Sequence, residues 1–188
     1  LAQMQADKVV VRGVMNPDGN PYSWYEDGAA HGIAADIFKA TAKKLGLKYE
    51  ITVVKDKDAY QKVLDSGSVD VWMDLNSYYE NENAYQYKIT DPYLTTTVSV
   101  LRQRGSSSKM KKIAVIGENV SINEIISKTW PDAKIVKLDS TTQCTHEIVN
   151  GNVDGALLMS YTAQKVARDD SQNRLSAEIV PGATLDLQ

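Results

Sequence analysis

The sequence is poor in the residues on which most redox, metal and catalytic sites depend. It contains one cysteine, Cys144, and two histidines, His31 and His146, in 188 residues. A single cysteine excludes an intrachain disulfide and a cysteine-based metal cluster. We expect His31 in a loop and His146 on a helix, both at the surface, because their spacing fits no metal motif. With no Gly-x-Ser-x-Gly motif, no P-loop and no paired cysteine and histidine, the sequence predicts a protein that is not an enzyme.

Basic charge and long apolar runs are also missing. The net charge is −3, which provides no basic field for nucleic acid or an anionic membrane. No segment approaches the ~18 consecutive apolar residues of a membrane span. Residues 102–112, RQRGSSSKMKK, are basic but rich in Ser and lack aromatic residues, which favours a solvated crossover linker over a binding patch. Since the chain starts at Leu1 rather than Met, we expect a processed or truncated piece of a longer protein.

The sequence does contain one short phrase twice. Gly-x-Val-Asp precedes an apolar run at 67–73 and again at 151–158. In both places the glycine is predicted to end a helix and the Val-Asp to begin a strand. Each half of the chain then reads strand, helix, strand, helix, strand, which requires a mostly parallel sheet covered by helices. The predicted segments are strands at 9–14, 49–54, 69–73, 113–116, 133–138 and 153–158, and helices at 33–45, 58–67 and 140–150, with a further helix that begins at Ser121.

Two of the predicted helices carry capping boxes in the second half. They are Ser121-x-x-Glu124 and Ser140-x-x-Gln143, in which the serine side chain caps the first turn. The free N–H groups of the helix that Ser121 begins could also hold a carboxylate or phosphate. In the first half, residues 16–28 are predicted to form a loop, because they are too rich in Pro, Gly and Asn to be helical.

Ligands of open parallel α/β sheets bind beyond the carboxyl ends of the strands. The loops at these ends are rich in aromatic residues, although the chain has a single Phe. Amphipathic rings suit a surface that closes on a ligand, and they also cap the edge of a core with their polar tips outward. Asp74 follows a buried strand, where it could be a solvated carboxylate or could attract an amine. The rings in question are Tyr22, Trp24, Tyr25, Tyr78 and Tyr79.

The order of these segments resembles the bacterial extracellular solute-binding proteins of family 3, which have the type II periplasmic-binding-protein fold. Residues 21–51 are similar to the family's "P-F-s-y … G … G-f-D-i … a-k-k-L-g" block. GSVDVWMD with KITDPYL resembles "G-x-v-D … F-s-x-P-Y", and NGNVDGALL resembles the second-lobe "G-x-v-D-a". The resemblance implies a two-lobed α/β protein, each lobe a mostly parallel sheet flanked by helices, with a hinge of crossover strands. We expect lobe 1 to be residues 1–104 plus 176–188, and lobe 2 to be residues 105–175.

Two positions depart from the family pattern. The arginine that grips a ligand's α-carboxylate in the family falls on Asn83, or on Glu82 with a shift of one residue. Neither side chain supplies a bidentate cation. The family's aspartate for the α-amino group falls on Met159, which Ser160 follows. No arginine of this chain stands at the position of the first anchor, so we do not expect the family's usual mode of amino acid binding. The five arginines are Arg12, Arg102, Arg104, Arg168 and Arg174.

The resemblance implies a protein of the periplasm or cell surface, tethered or part of a longer membrane protein. It would close on a small polar solute, an amine or an amino-acid-like compound, and act on a membrane transporter of the ABC type or a membrane-anchored signalling domain. No cofactor, metal or nucleic acid is expected. The candidate ligand-binding residues are Tyr22, Trp24, Asp74, Asn76, Tyr78, Asn83, Glu118, Asn119, Ser121, Met159 and Ser160.

Two alternatives remain open. One is an interaction domain that has lost its ligand and serves a membrane sensor such as a diguanylate cyclase or a kinase. The other, less favoured, is a dehydratase-like enzyme that would use Glu118 or Asp74 as its acid or base.

Overall fold

The computed structural model divides the chain into two units, Leu1–Leu75 and Asn76–Gln188. It describes residues 1–54, 59, 62–63, 65–73, 88–117 and 120–188. The predicted lobes group the long strands of residues 94–103 and 175–187 differently from these units, and that division into lobes stays a prediction. The α/β fold class is confirmed, since both units contain parallel strand pairs and helices.

The first unit contains a parallel sheet and a small antiparallel one. The parallel sheet has the order β5-β1-β6, and the antiparallel sheet has the order β2-β3-β4. The short α1 precedes β1, and α2 joins β4 to β5. The described elements are α1 (Ala2–Ala6), β1 (Val10–Met15), β2 (Asp18–Gly19), β3 (Ser23–Glu26), β4 (Ala29–His31), α2 (Ile33–Lys44), β5 (Lys48–Val53) and β6 (Val71–Trp72).

The second unit contains one five-stranded sheet. Its order is β11-β7-β10-β8-β9. Strands β10, β8 and β9 run parallel, and β7 runs antiparallel to both β10 and β11. Two buried apolar clusters lie in this unit, one containing Ile113 and Ile126 and the other Ala114 and Ile148. The elements are β7 (Leu94–Gln103), β8 (Lys112–Ile116), α3 (Val120–Thr129), β9 (Lys134–Leu138), α4 (Thr141–Val149), β10 (Gly155–Met159), α5 (Ser160–Asp169) and β11 (Leu175–Leu187).

The repeated Gly-x-Val-Asp phrase makes the same contact in both units. In the first, the backbone N–H of Asp70 donates to the carbonyl of Arg12, whose own N–H donates to the Asp70 carboxylate at 2.9 Å. In the second, Asp154 and Lys112 repeat both bonds, the carboxylate bond being 2.8 Å. The aspartate therefore joins the strand that it precedes to a parallel neighbour, β6 to β1 in the first unit and β10 to β8 in the second, which gives the sequence repeat a structural reason.

Helix α2 ends where the sequence predicts, and it buries Phe38 but leaves two isoleucines exposed. Gly46 follows it with φ +66, the left-handed conformation that favours glycine. Phe38 is buried against Gly13 of β1, where an added Cβ would lie 3.0 Å from the ring. Ile33 and Ile37, which lie at the same helical spacing, are exposed. The helix turns Phe38 and its alanines inward instead, since the glycine leaves room for the ring.

The predicted loop at 16–28 is also corrected. Residues within it form β2 and β3, and β3 pairs with β4 through a turn at Asp27 and Gly28. Both turn residues have positive φ, +51 and +78, as a two-residue hairpin requires. Of the predicted helix at 58–67, residues 59, 62–63 and 65 are described and are helical, and Gly67 follows in a turn with φ +64.

Candidate functional site

The carboxyl end of β10 carries a cluster of three hydroxyl groups. Ser160, the first residue of α5, is 4% exposed. Its Oγ accepts a hydrogen bond from Thr97 Oγ1 at 2.7 Å and lies 2.7 Å from the Oγ of the fully buried Ser99. Ser160 was predicted to contact a ligand, but its hydroxyl is shared between two side chains of β7. Met159, before it, is half-buried against the core.

The first unit holds Tyr22 in a similarly closed environment. Its side chain is 1% exposed, and its carbonyl accepts the N–H of Ala34 in the first turn of α2. Gly32 is required beside it, because a Cβ there would lie 2.3 Å from the Tyr22 carbonyl oxygen. The predicted ligand contact of Tyr22 would thus need the ring to leave the core, and it stays a prediction.

Trp24 is partly exposed and belongs to a small polar and aromatic group. Its ring stacks on His31 with centroids 5.4 Å apart, and its Nε1 donates to Glu26 at 3.2 Å. His31 lies on β4 rather than in the predicted loop, with Nε2 3.3 Å from the Glu26 carbonyl oxygen. The exposed Tyr25 lies on the same hairpin. Trp24 therefore keeps part of its ring exposed, and its contact with a ligand stays a prediction.

Ser121 lies inside the first turn of α3, not at its N-cap, because the helix already begins at Val120. The predicted capping box there is corrected for this reason. The second box is confirmed, since Ser140 Oγ accepts the N–H of Gln143 at 3.2 Å. Six candidates fall outside the described residues: Asp74, Asn76, Tyr78, Asn83, Glu118 and Asn119.

The arginines of the second unit all lie at the wrong end of the parallel strands for a ligand at their carboxyl ends. Arg102 is paired with Gly155, the first residue of β10, and Arg104 follows the same strand. Arg168 is in the last turn of α5, which runs back from the carboxyl end. Arg174 precedes β11, whose first residue pairs with Gln103. Strand β10 alone separates the two ends by roughly 13 Å.

The guanidinium groups are also engaged. Arg102 Nη2 lies 2.6 Å from Glu178, and Arg104 Nη2 lies 2.8 Å from the side chain of Asn173. Arg174 pairs with the buried carboxylate of Asp170 at 3.0 Å.

The remaining two arginines also have carboxylate neighbours. Arg12, in the first unit, forms a bidentate pair with Asp70 at 2.9 and 3.0 Å, whose hydrogen bonds lower the pKa of that carboxylate. Arg168 lies 3.4 Å from Asp169. Each of the five arginines thus has an acceptor within its own unit.

Sequence reasoning did not reveal a group of three exposed apolar side chains in the second unit. Ile116, Val120 and Tyr161 are exposed at the carboxyl ends of β8 and β10. The signal that could have revealed them is their position, since each follows or ends a predicted buried strand. Among the described residues, no group of His, Cys, Asp and Glu is arranged to hold a metal. None of the described helices is long and apolar enough to cross a membrane.

The comparisons with known proteins agree with this architecture. Residues 11–179 match the sequence profile of the bacterial extracellular solute-binding proteins, family 3. No curated protein matches the chain. Among solved structures, the chain is similar to the periplasmic VFT2 domain of BvgS from Bordetella pertussis, with a TM-score of 0.83 at 18% identity. That alignment covers 99% of this chain and 82% of the other.

Two amino acid binding proteins are also similar. The arginine-, lysine-, histidine-binding protein ArtJ from Geobacillus stearothermophilus gives a TM-score of 0.75 at 23% identity, covering 96% of this chain and 80% of ArtJ. The arginine-bound, truncated ArgBP from T. maritima gives 0.72 at 18% identity, covering 100% and 89%. At these identities the likeness establishes the shared fold, the type II periplasmic-binding-protein fold.

Proposed function

We propose, on the premise that this chain belongs to the bacterial extracellular solute-binding proteins of family 3, that it binds a small polar solute outside the cytoplasm without an arginine clamp. The solute is an amine or an amino-acid-like compound. The protein carries out no catalysis and passes its bound state to a membrane transporter or to a membrane-anchored signalling domain, to which it is tethered or fused.

The placement of the arginines carries this proposal. A ligand α-carboxylate is best held by a bidentate guanidinium. In the second unit the four arginines lie at or beyond the amino ends of the parallel strands. Arg12 is held by Asp70 in the first unit. A solute bound at the carboxyl ends is therefore recognised by other groups.

The aspartate that the family uses for the ligand's α-amino group is replaced by Met159, and this replacement supports the same proposal. Where a carboxylate would meet a ligand amine, Met159 is half-buried and the Ser160 hydroxyl is shared with Thr97 and Ser99. Trp24 supplies a partly exposed ring in the first unit. Ring faces attract cations, so an amine remains compatible with the described side chains.

A thermal-shift screen with amino acids, amines, short peptides, sugars and organic acids tests the proposal. A solute present at 100 times its Kd adds about 2.7 kcal/mol of stability. For a chain of this size, each kcal/mol raises the melting temperature by about 2–4 °C. We expect a shift with amines. Stabilisation by anions alone would refute the amine assignment, and no shift with any class would refute solute binding.

A second candidate function is an interaction domain of a membrane sensor that has lost its solute. The closed environments of Tyr22 and Ser160 favour it, as does the similarity in fold to a periplasmic domain of BvgS. A flat screen would favour this alternative over solute binding.

A further inference from the structure

Three large apolar side chains are exposed together at the carboxyl edge of the second unit's parallel strands. Ile116 is the last residue of β8 and is 37% exposed, and Val120 begins α3 and is 55% exposed. Tyr161, the second residue of α5 after β10, is 59% exposed. Because β8 and β10 are parallel neighbours, all three positions lie at the same edge of the sheet. We call these three residues the apolar edge.

The opposite edge of the same strands has a different character. Lys112 and Lys134 begin β8 and β9 side by side, and both are exposed. Asp154 precedes β10 and accepts two backbone N–H groups there. Charged side chains are usually exposed to water, and a single exposed apolar side chain is common on any protein surface. Three of them at the ligand-binding edge of a parallel sheet call for a different explanation.

Two polar groups at the carboxyl edge bear on how a solute could bind there. The Ser160 hydroxyl is buried and bonded to two neighbours. Asp139, which follows β9, is exposed and lies 3.5 Å from the amide of Gln143. An ammonium group could approach this carboxylate, while an apolar part of the solute would meet Ile116, Val120 and the ring of Tyr161.

We propose that the solute carries an aliphatic or aromatic group that packs on Ile116, Val120 and Tyr161. This inference rests on the proposed function and narrows its ligand to amines with an apolar body. Removing these side chains from water on binding is favourable in proportion to the area covered. Such a solute carries the apolar group and the amine in one molecule, so that both meet the same edge of the sheet.

Pairs of amines that differ only in their apolar body test the inference. Benzylamine is compared with methylamine, and phenethylamine with ethylamine, at equal concentrations, by thermal shift and then by calorimetry. We expect the larger member of each pair to raise the melting temperature and the smaller member to leave it unchanged. Equal responses within each pair would overturn the apolar contact but leave amine binding intact.

Variants locate the contact on the apolar edge. Val120→Ser and Tyr161→Ser should each weaken benzylamine binding about fivefold, which corresponds to about 1 kcal/mol, because a little over half of each side chain is exposed and can be covered by the solute. The matched control is Ile179→Ser on β11, which is also 55% exposed but lies outside the apolar edge. Melting temperatures without solute verify that every variant folds.

The outcomes separate this inference from the function on which it rests. Unchanged affinity in both edge variants, or an equal loss in Ile179→Ser, would overturn the apolar edge as the contact. Binding of polyamines or sugars without any response to the ring-bearing amines would do the same, while solute binding itself survived. If the whole panel gave no response, both proposals would fail, and a protein partner would become the occupant to test for this edge.

Discussion

Replacing Ser160 by alanine should destabilise the protein, because the hydroxyl of Ser160 is the centre of a buried cluster. Ser99 is fully buried, and its Oγ lies 2.7 Å from that of Ser160. Ser160→Ala leaves the Ser99 hydroxyl without this partner, and an unsatisfied buried polar group costs about 1–3 kcal/mol. Thr97 is exposed, so water can replace the bond that it loses. The expected loss is therefore about 1–3 kcal/mol, almost all of it from Ser99.

Urea unfolding of four proteins measures this directly. The wild type, Ser160→Ala, Ser99→Ala and the double variant form a double-mutant cycle. Because the double variant removes both hydroxyls together, its loss should be smaller than the sum of the two single losses. Ser127→Ala is the matched control, since the Ser127 hydroxyl bonds a carbonyl of its own helix on the exposed face of α3. It should change the free energy of unfolding by less than about 0.5 kcal/mol.

The reasoning would be refuted by additive losses in the double variant, or by a Ser160→Ala protein as stable as the Ser127→Ala control. Either result would mean that the cluster contributes little to stability. It would also restore Ser160 as a candidate ligand contact, because its hydroxyl could then be released to a solute at small cost.

Three further predictions follow from single contacts. Ser140→Ala should lose about 1 kcal/mol of stability in urea unfolding and Ser140→Asp should retain it, because the side chain caps α4; equal losses would contradict the cap. The pKa of Asp70 is lowered in the folded protein by its hydrogen bonds to Arg12, so its contribution is complete above the unfolded value of about 3.9 and is lost as the pH falls through the folded pKa. Asp70→Asn should therefore lower the free energy of unfolding at pH 7 and make its decrease below about pH 4 less steep. An unchanged pH dependence below pH 4 would contradict the ion pair of Asp70 with Arg12. Burial raises the pKa of Cys144 to about 12, so its thiol should react with a disulfide reagent at pH 8 only at the rate of unfolding, whereas rapid labelling of the native protein would contradict its burial.

The sequence predicts elements well where one local rule decides the outcome. The capping box at Ser140 and Gln143 begins a helix as expected, and the glycine after Leu45 ends one. The hairpin at Asp27 and Gly28 was within reach of the same reasoning, because Asp-Gly is a strong two-residue turn signal. The richness of its flanks in Pro, Gly and Asn outweighed that signal and led to the prediction of a loop.

Features that depend on long-range packing could not be predicted in this way. Phe38 faces inward because Gly13, twenty-five residues earlier, leaves space for its ring. This contact rotates α2 and exposes Ile37, although helical spacing alone places both side chains on one apolar stripe. No local pattern specifies which part of a wide apolar stripe a helix will bury.

The candidate site, too, could be predicted from the sequence only in part. The sequence directs attention to the carboxyl ends of the strands, which stays a prediction, and it shows that no arginine stands at the position expected from the family. It could not show that Ser160 is closed in by Thr97 and Ser99, because these residues are about sixty positions apart along the chain. The apolar edge is likewise defined by the neighbouring strands that carry it.

The measurement that tests the central claim most directly is calorimetry with amino acids and their decarboxylated amines. L-phenylalanine is compared with phenethylamine, and L-arginine with agmatine, so that each pair differs only in the α-carboxylate. Without an arginine clamp, the amine should bind at least as tightly as its amino acid. If the amino acid binds and loss of the carboxylate weakens binding by roughly 10- to 100-fold, the effect of a charge-assisted hydrogen bond, then a cation grips the carboxylate and the account is wrong.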